Sequence, residues 1–159
     1  MNVEFLDLEA RAHSEHAQAL RLWLRLLTCS QLIEKRVRAG LREHFETTLP
    51  RFDLMAQLER HPEGLKMKEL SQRLMVTGGN VTGITDQLVA EGLVERVGVE
   101  GDRRAFLVRL TPEGRSSFER MAGQHEQWIV QAFEGLTPRE LDQLHRLLGK
   151  VKQHQLDLE

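Results

Sequence analysis

The sequence contains no run of about 18 apolar residues, the length a helix needs to cross a bilayer. Its opening, MNVEFLDLEARAHSEH, is acidic and carries no apolar core of a signal peptide. Neither a membrane partner nor export is expected, and the chain reads as cytoplasmic. There is a single cysteine, Cys29, which excludes an internal disulfide and agrees with a reducing compartment. An excess of basic charge is also missing: 22 Lys and Arg stand against 24 Asp and Glu, for a formal net charge of −2. Bulk charge therefore gives no support to polyanion binding, and any such function has to rest on where the cations are placed. No nucleophile paired with a base, no phosphate-binding loop and no metal-ligand set can be found, so an enzyme and a cofactor are not expected. His13 and His16, at i and i+3 beside Glu15, lack the further ligands that a metal site needs.

What is present centres on residues 69–114, ELSQRLMVTGGNVTGITDQLVAEGLVERVGVEGDRRAFLVRLTPEG. Leu70 and Leu74 mark one apolar helical face, residues 76–79 interrupt it, and Val81, Ile84 and Leu88 restart the 3.6 period. Two short helices thus meet at a glycine-containing turn, with Thr77 as the expected N-cap of the second and Gly92 as the residue that ends it. From Val94 the period changes. Val94, Val97 and Val99, and then Phe106, Val108 and Leu110, predict two strands joined by a loop, Gly101-Asp102-Arg103-Arg104, whose tip carries paired arginines. Thr111 and Pro112 open another helix, as N-cap and N1.

The flanks are helical. Residues 14–45 have no proline and one glycine, and Leu20, Leu22, Trp23, Leu24, Leu26, Leu27, Cys29, Leu32 and Ile33 run around nearly the whole circumference, with Cys29 expected as a small buried hydrophobe. A helix apolar all round needs burial on more than one side, and in a chain this small a second copy can provide one of them. Leu49-Pro50-Arg51 restarts a helix that residues 61–64 stop, and Leu65 is expected to form a single bridge beside the wing. Residues 111–133 predict a long helix with Phe118, Met121, Trp128, Ile129 and Ala132 as candidate buried positions. Thr137-Pro138-Arg139-Glu140 is a capping box, after which Leu141, Leu144, Leu148 and Val151 form one packing stripe. The expected fold is mainly α (α+β): a winged helix-turn-helix lobe with long N- and C-terminal dimerisation helices. Residues 1–48 form the arm and first dimerisation helix, 49–114 the DNA-binding lobe and 115–159 the C-terminal helices, all in one structural unit. Leu20, Leu24, Leu27, Leu141, Leu144, Leu148 and Val151 are the expected homodimer contacts.

The cations cluster where a duplex would lie. Lys66, Lys68 and Arg73 face a single acid, Glu69, before the second helix, and suit phosphate contacts, which position without reading sequence. With Val81, Ile84 and Leu88 turned inward, the outer face carries Gly79, Thr82, Gly83 and Asp86, with Thr77 and Asn80 at its edge. In a major groove Asn80 can read adenine, Thr82 a thymine methyl or a phosphate, and Asp86 the amino group of cytosine. At the wing, Asp102 is expected to orient an arginine while Arg103 or Arg104 enters a narrow, electronegative minor groove. The alternatives are a solvated polar face and a solvated turn.

Taken together, the N-terminal helix, the motif above, the wing GDRRAFLVRLTPEG and the helical C-terminus resemble a MarR-type winged helix-turn-helix transcriptional regulator over roughly residues 20–151. The resemblance implies an obligate homodimer on double-stranded DNA, with the recognition helices in the major groove, the wing arginines in the minor groove and a pseudopalindromic operator. It also implies repression relieved by a small-molecule effector, often aromatic, between the dimer helices and the DNA-binding lobe. Trp23, Arg36, Arg38, Arg42, His44, Arg51 and Trp128 are the candidate effector residues. Arginines there suit an aromatic acid or its coenzyme A thioester, and ordinary surface charge is the alternative. Gly83 departs from the family, many members of which carry arginine after the threonine of this helix; with Gly78 and Gly79 it would allow close backbone approach instead. Peroxide sensing at Cys29 has a family precedent that leans on tyrosines, and this chain has none. A winged helix used for protein partners, or a redox- or metal-sensing regulator, are the competing readings.

Overall fold

The computed structural model describes residues 17–74 and 78–159. Six helices and two strands follow in the order α1 (Ala17–Phe45), α2 (Leu49–Glu59), α3 (Met67–Leu74), α4 (Gly78–Ala90), β1 (Val94–Val99), β2 (Asp102–Leu110), α5 (Pro112–Ala132) and α6 (Pro138–Asp157). The chain divides into two compact units, 1–125 and 126–159, the boundary falling inside α5.

In the first unit the core is built from one face of each element. Val37 and Leu41 of α1 are buried, as are Leu54, Met55 and Leu58 of α2, Leu70 of α3, and Val81 and Leu88 of α4. Val94, Val108 and Leu110 of the strands, and Phe118 and Met121 of α5, complete it. The apolar N-terminal half of α1 stays outside this core: Leu20 is 42% exposed, Leu22 63% and Trp23 54%. Glu46, in the left-handed region at φ 51°, ends α1, and the N–H groups of Glu46 and Thr47 return to the carbonyls of Arg42 and Leu41. Helix α2 starts at Thr48, whose hydroxyl accepts from the Arg51 N–H.

The strands pair antiparallel with Val94 opposite Leu110 and Gly98 opposite Phe106, and the register shifts between Gly98 and Val99. The expected single bridge is present, Leu65 pairing with Val108. The wing tip is tighter than its charged sequence suggested. Strand β2 begins at Asp102, opposite Val99, so only Glu100 and Gly101 turn, Gly101 at φ 85°. Arg103 and Arg104 therefore fall within β2, at the register shift between the pairs Gly98–Phe106 and Val99–Asp102, and not in a loop.

Gly92, at φ 74°, terminates α4 as expected. The entry to α5 is bonded onto the same turn: the Thr111 N–H donates to Leu93 O at 3.1 Å, the Thr111 hydroxyl to Gly92 O at 2.7 Å, and the Gly114 N–H to the Thr111 hydroxyl at 3.0 Å. Phe118 and His125 both pack against Phe52, with ring centroids 5.3 Å away for Phe118 and 4.8 Å for His125.

In the second unit α6 begins with the expected capping box. The Thr137 N–H donates to Glu140 Oε2 at 2.8 Å, and the Glu140 N–H donates to the Thr137 hydroxyl at 3.3 Å. These bonds hold the Glu140 carboxyl below its usual range. No residue of α6 is buried; Leu141, Leu148 and Val151 are exposed and Leu144 is partly so. No described helix is long and apolar enough to cross a membrane.

Candidate nucleic-acid interface

Helix α3 opens with half of a capping box. The Lys66 N–H donates to Glu69 Oε2 at 2.8 Å, which places the one acid of this segment on the positive end of the helix. Lys66, Lys68 and Arg73 are all exposed. Helix α4 packs against α3, and its Val81, Thr85 and Leu88 are each fully buried. The expected inward face of Val81, Ile84 and Leu88 is shifted by one position: Thr85 is buried and Ile84 only partly so. A threonine hydroxyl is tolerated inside because it donates to Met67 Sδ at 3.9 Å, so the two helices are joined by a weak polar contact as well as by packing.

With Thr85 at the centre of the inner face, Asn80, Thr82, Gly83, Asp86 and Gln87 lie on the outer one, all exposed. Gly79 lies in the first turn of α4, and Thr77, the expected cap, falls outside the described residues. A Cβ at Gly83 would meet nothing within 4 Å. A depression of about 390 Å³ runs between the helices, lined by Met67, Lys68, Ser71 and Gln72 of α3 and Thr82 of α4.

Two ion pairs anchor this outer face. Asp86 is bound by the Arg96 guanidinium from β1, which also lies over the Phe106 ring, 5.6 Å from its centroid. At the C-terminal end of α4, Arg51 of α2 makes a two-pronged contact with Glu91, one prong being 2.8 Å from Nη1 to Oε1, and reaches Gln87 Oε1 at 3.5 Å. The hydrogen bonds from Arg51 hold the Glu91 carboxyl below its usual range. Neither partner, Arg96 nor Glu91, was singled out in the sequence, because each lies ten or more residues from the acid or base it meets.

On the wing the Asp102 carboxylate accepts from the backbone N–H of Arg104 at 2.9 Å. It shapes the turn through the main chain and does not orient an arginine side chain, contrary to expectation, since an aspartate two residues ahead is in reach of that N–H in an Asx turn. Arg103 and Arg104 are exposed. Further down, Arg109 Nε donates to Glu95 Oε1 at 2.7 Å across the hairpin. The outer surface of α3, α4 and the wing thus carries Lys66, Lys68, Arg73, Arg103 and Arg104, while Glu69, Asp86 and Asp102 are each occupied by a hydrogen bond or ion pair.

A MarR-family sequence model matches residues 46–105, which run from α2 to the wing. The Bacillus subtilis HTH-type transcriptional regulator YkoM is 35% identical over 89 residues, 56% of this chain and 58% of YkoM. A MarR family transcriptional regulator from Silicibacter pomeroyi has a similar structure, with a TM-score of 0.75 at 28% identity over 90% of this chain and 99% of that one. Over residues 46–105 the chain is similar to the MarR family, and its fold is that of MarR-family structures. A mutant of E. coli MarR complexed with operator DNA shares the fold, with a TM-score of 0.73 at 24% identity over 87% of this chain and 99% of that one. The chain spans about three-fifths of the length of the first curated relatives it matches.

The expected effector residues are less concentrated than the sequence suggested. Trp23, Arg36, Arg38, Arg42 and His44 all lie on α1 and are exposed, but thirteen residues separate Trp23 from Arg36, about 20 Å along a helix. Arg36 and Arg38 point to nearly opposite sides, and Arg38 pairs with Glu34 at 3.6 Å. Arg51 is turned toward α4. Trp128 is partly buried and belongs to the second unit. Cys29 is exposed. Among the described residues no group of three or more His, Cys, Asp or Glu is arranged to hold a metal ion.

A separate acid–base cluster lies by the aromatic stack. Burial lowers the His125 imidazole below its ordinary value of 6.5, with Asp53 opposing the shift. Burial raises the Asp53 carboxyl, while His125 and Arg38 pull it down and Glu34 pushes it up.

Proposed function

We propose that this protein is a sequence-specific regulator of transcription that binds double-stranded DNA as a homodimer in the cytoplasm. The observation that carries the reading is the outer face of α4, with Asn80, Thr82 and Gly83 exposed, flanked by the cations of α3 and by Arg103 and Arg104 of the wing. An α-helix of this kind fits a major groove, and wing arginines fit the minor groove beside it. The operator complex of the E. coli MarR mutant supports it, as a likeness of fold. The uncovered apolar stripes of α1 and, separately, of α6 support self-association. Two recognition helices about 34 Å apart would read a pseudopalindrome.

The action is repression, released by a small aromatic effector, an aromatic acid or its coenzyme A thioester, that shifts the population of lobe spacings. The arginines of α1 support an anionic ligand. Fluorescence-polarisation titration against the upstream intergenic duplex and a scrambled one, across a salt series, tests the DNA-binding reading. Tight, salt-dependent preference for the native duplex is expected, weakened in Arg104→Ala. Equal binding to both duplexes, or failure of every duplex selected from a random pool, would sink it.

A further inference from the structure

Asp86 presents a difficulty for a DNA-reading face. It lies three and four residues beyond Gly83 and Thr82, on the same exposed side of α4. A free carboxylate there would face a polyanion and be repelled by it. Were it instead to accept from a cytosine amino group, it would need its oxygens available. In the structure the Arg96 guanidinium holds one oxygen of the Asp86 carboxylate, Oδ1, which offsets its charge and takes that oxygen from a base.

The pair is built, not incidental. Arg96 stands opposite Val108 in the hairpin, so Phe106 is its diagonal neighbour on the same face. The residue directly opposite Phe106 is Gly98, which has no side chain to cover the ring. The guanidinium fills that space, its carbon 5.6 Å from the ring centroid, within the range of a cation–π contact. Arg96 is thereby held from below by an aromatic ring of the wing and directed at an acid of the recognition helix. Its side chain is 31% exposed, against 59% for Asp86.

We propose that Arg96 is a positioning residue for DNA recognition: seated on Phe106, it masks Asp86, so that the base-reading part of α4 is confined to Asn80, Thr82 and Gly83. This inference rests on the DNA-binding reading above. It assigns Arg96 no phosphate contact and Asp86 no base.

The test is a double-mutant cycle, with Arg96→Ala, Asp86→Asn and the double variant titrated against an operator duplex selected from a random pool, alongside thermal unfolding of each. Arg96→Ala is expected to weaken binding by about tenfold, Asp86→Asn alone to stay within about twofold of the parent, and the double variant to regain most of the loss. That rescue is the readout a merely structural role would not give. Arg96→Gln, which keeps a polar side chain of similar reach, is expected to follow Arg96→Ala and serves if the alanine variant does not fold. Two outcomes overturn the inference while leaving DNA binding in place. Loss or change of base preference in Asp86→Asn would make Asp86 a reader, and a double variant as weak as Arg96→Ala would make Arg96 a direct contact or a fold determinant. A parent protein that selects no duplex overturns the DNA-binding reading and this inference with it.

Discussion

A Cβ built on Gly114 would stand 1.8 Å from the carbonyl oxygen of Leu93. Helix α5 therefore begins in direct backbone contact with the turn that leaves the recognition helix, a closeness that only glycine permits. Gly114→Ala must push the two apart and break the Thr111 bonds to Leu93 and Gly92. We expect a loss of about 3 kcal/mol or more, read as a lower midpoint in urea unfolding. An unchanged midpoint would mean that α5 can move away at no cost.

The Arg51–Glu91 pair predicts a pH dependence of defined sign. The folded Glu91 carboxyl lies below the ordinary 4.5, so the native state resists its protonation. The stability it contributes is complete above that value and is lost as the pH falls through the folded value. Glu91→Gln should cost about 1 kcal/mol near neutrality, a figure kept small by solvent on the Glu91 side. It should also flatten the acid limb of the stability profile. A parallel acid limb in parent and variant would dissociate Glu91 from acid unfolding.

His125 should act at a higher pH. Burial depresses its imidazole below 6.5, so the unfolded chain binds the proton more readily than the folded one. Stability is full above 6.5 and declines as the pH falls from there to the folded value. His125→Phe, which keeps a ring against Phe52, should remove this decline from melting temperatures measured between pH 8 and pH 5. Asp53, whose carboxyl is raised, contributes with the opposite sign at lower pH, where its protonation favours the folded state.

Gly83 offers a separation of stability from binding. Since a Cβ there meets nothing within 4 Å, Gly83→Ala should stabilise α4 by about 1 kcal/mol. The same methyl group would stand on the proposed base-reading face and should weaken operator binding. Higher melting temperature with unchanged affinity would place the duplex elsewhere.

Charged residues at Leu144 and Leu148 should convert the proposed dimer to monomers. Sedimentation equilibrium measures this directly, and a mass still twice that of the chain would remove α6 from the interface.

Much of this protein is decided by local rules that can be read one helix turn or one strand at a time. The Thr137–Glu140 capping box, the Gly92 stop and the change from a 3.6 to a 2 period at Val94 all depend on residues whose spacing alone sets their geometry. The same holds for the exposed row Asn80, Thr82 and Gly83, because a helix wheel needs only the inward positions to place the outward ones. Thr85 is an exception, buried where the period places Ile84, with its hydroxyl bonded to Met67 Sδ of a neighbouring helix.

What only the tertiary structure decided is which charges are available. Arg51 meets Glu91 across 40 residues, Arg96 meets Asp86 across ten, and Arg96 also meets Phe106 because a hairpin register places Gly98 opposite that ring. In the sequence Arg51 reads as an effector ligand and Asp86 as a reader of cytosine. Coulomb attraction has no preferred sequence separation, and a side chain's partner is fixed only when separate elements have packed. The sequence determined the shape of the recognition surface, and the packing of α2, α4 and the wing determined its charge.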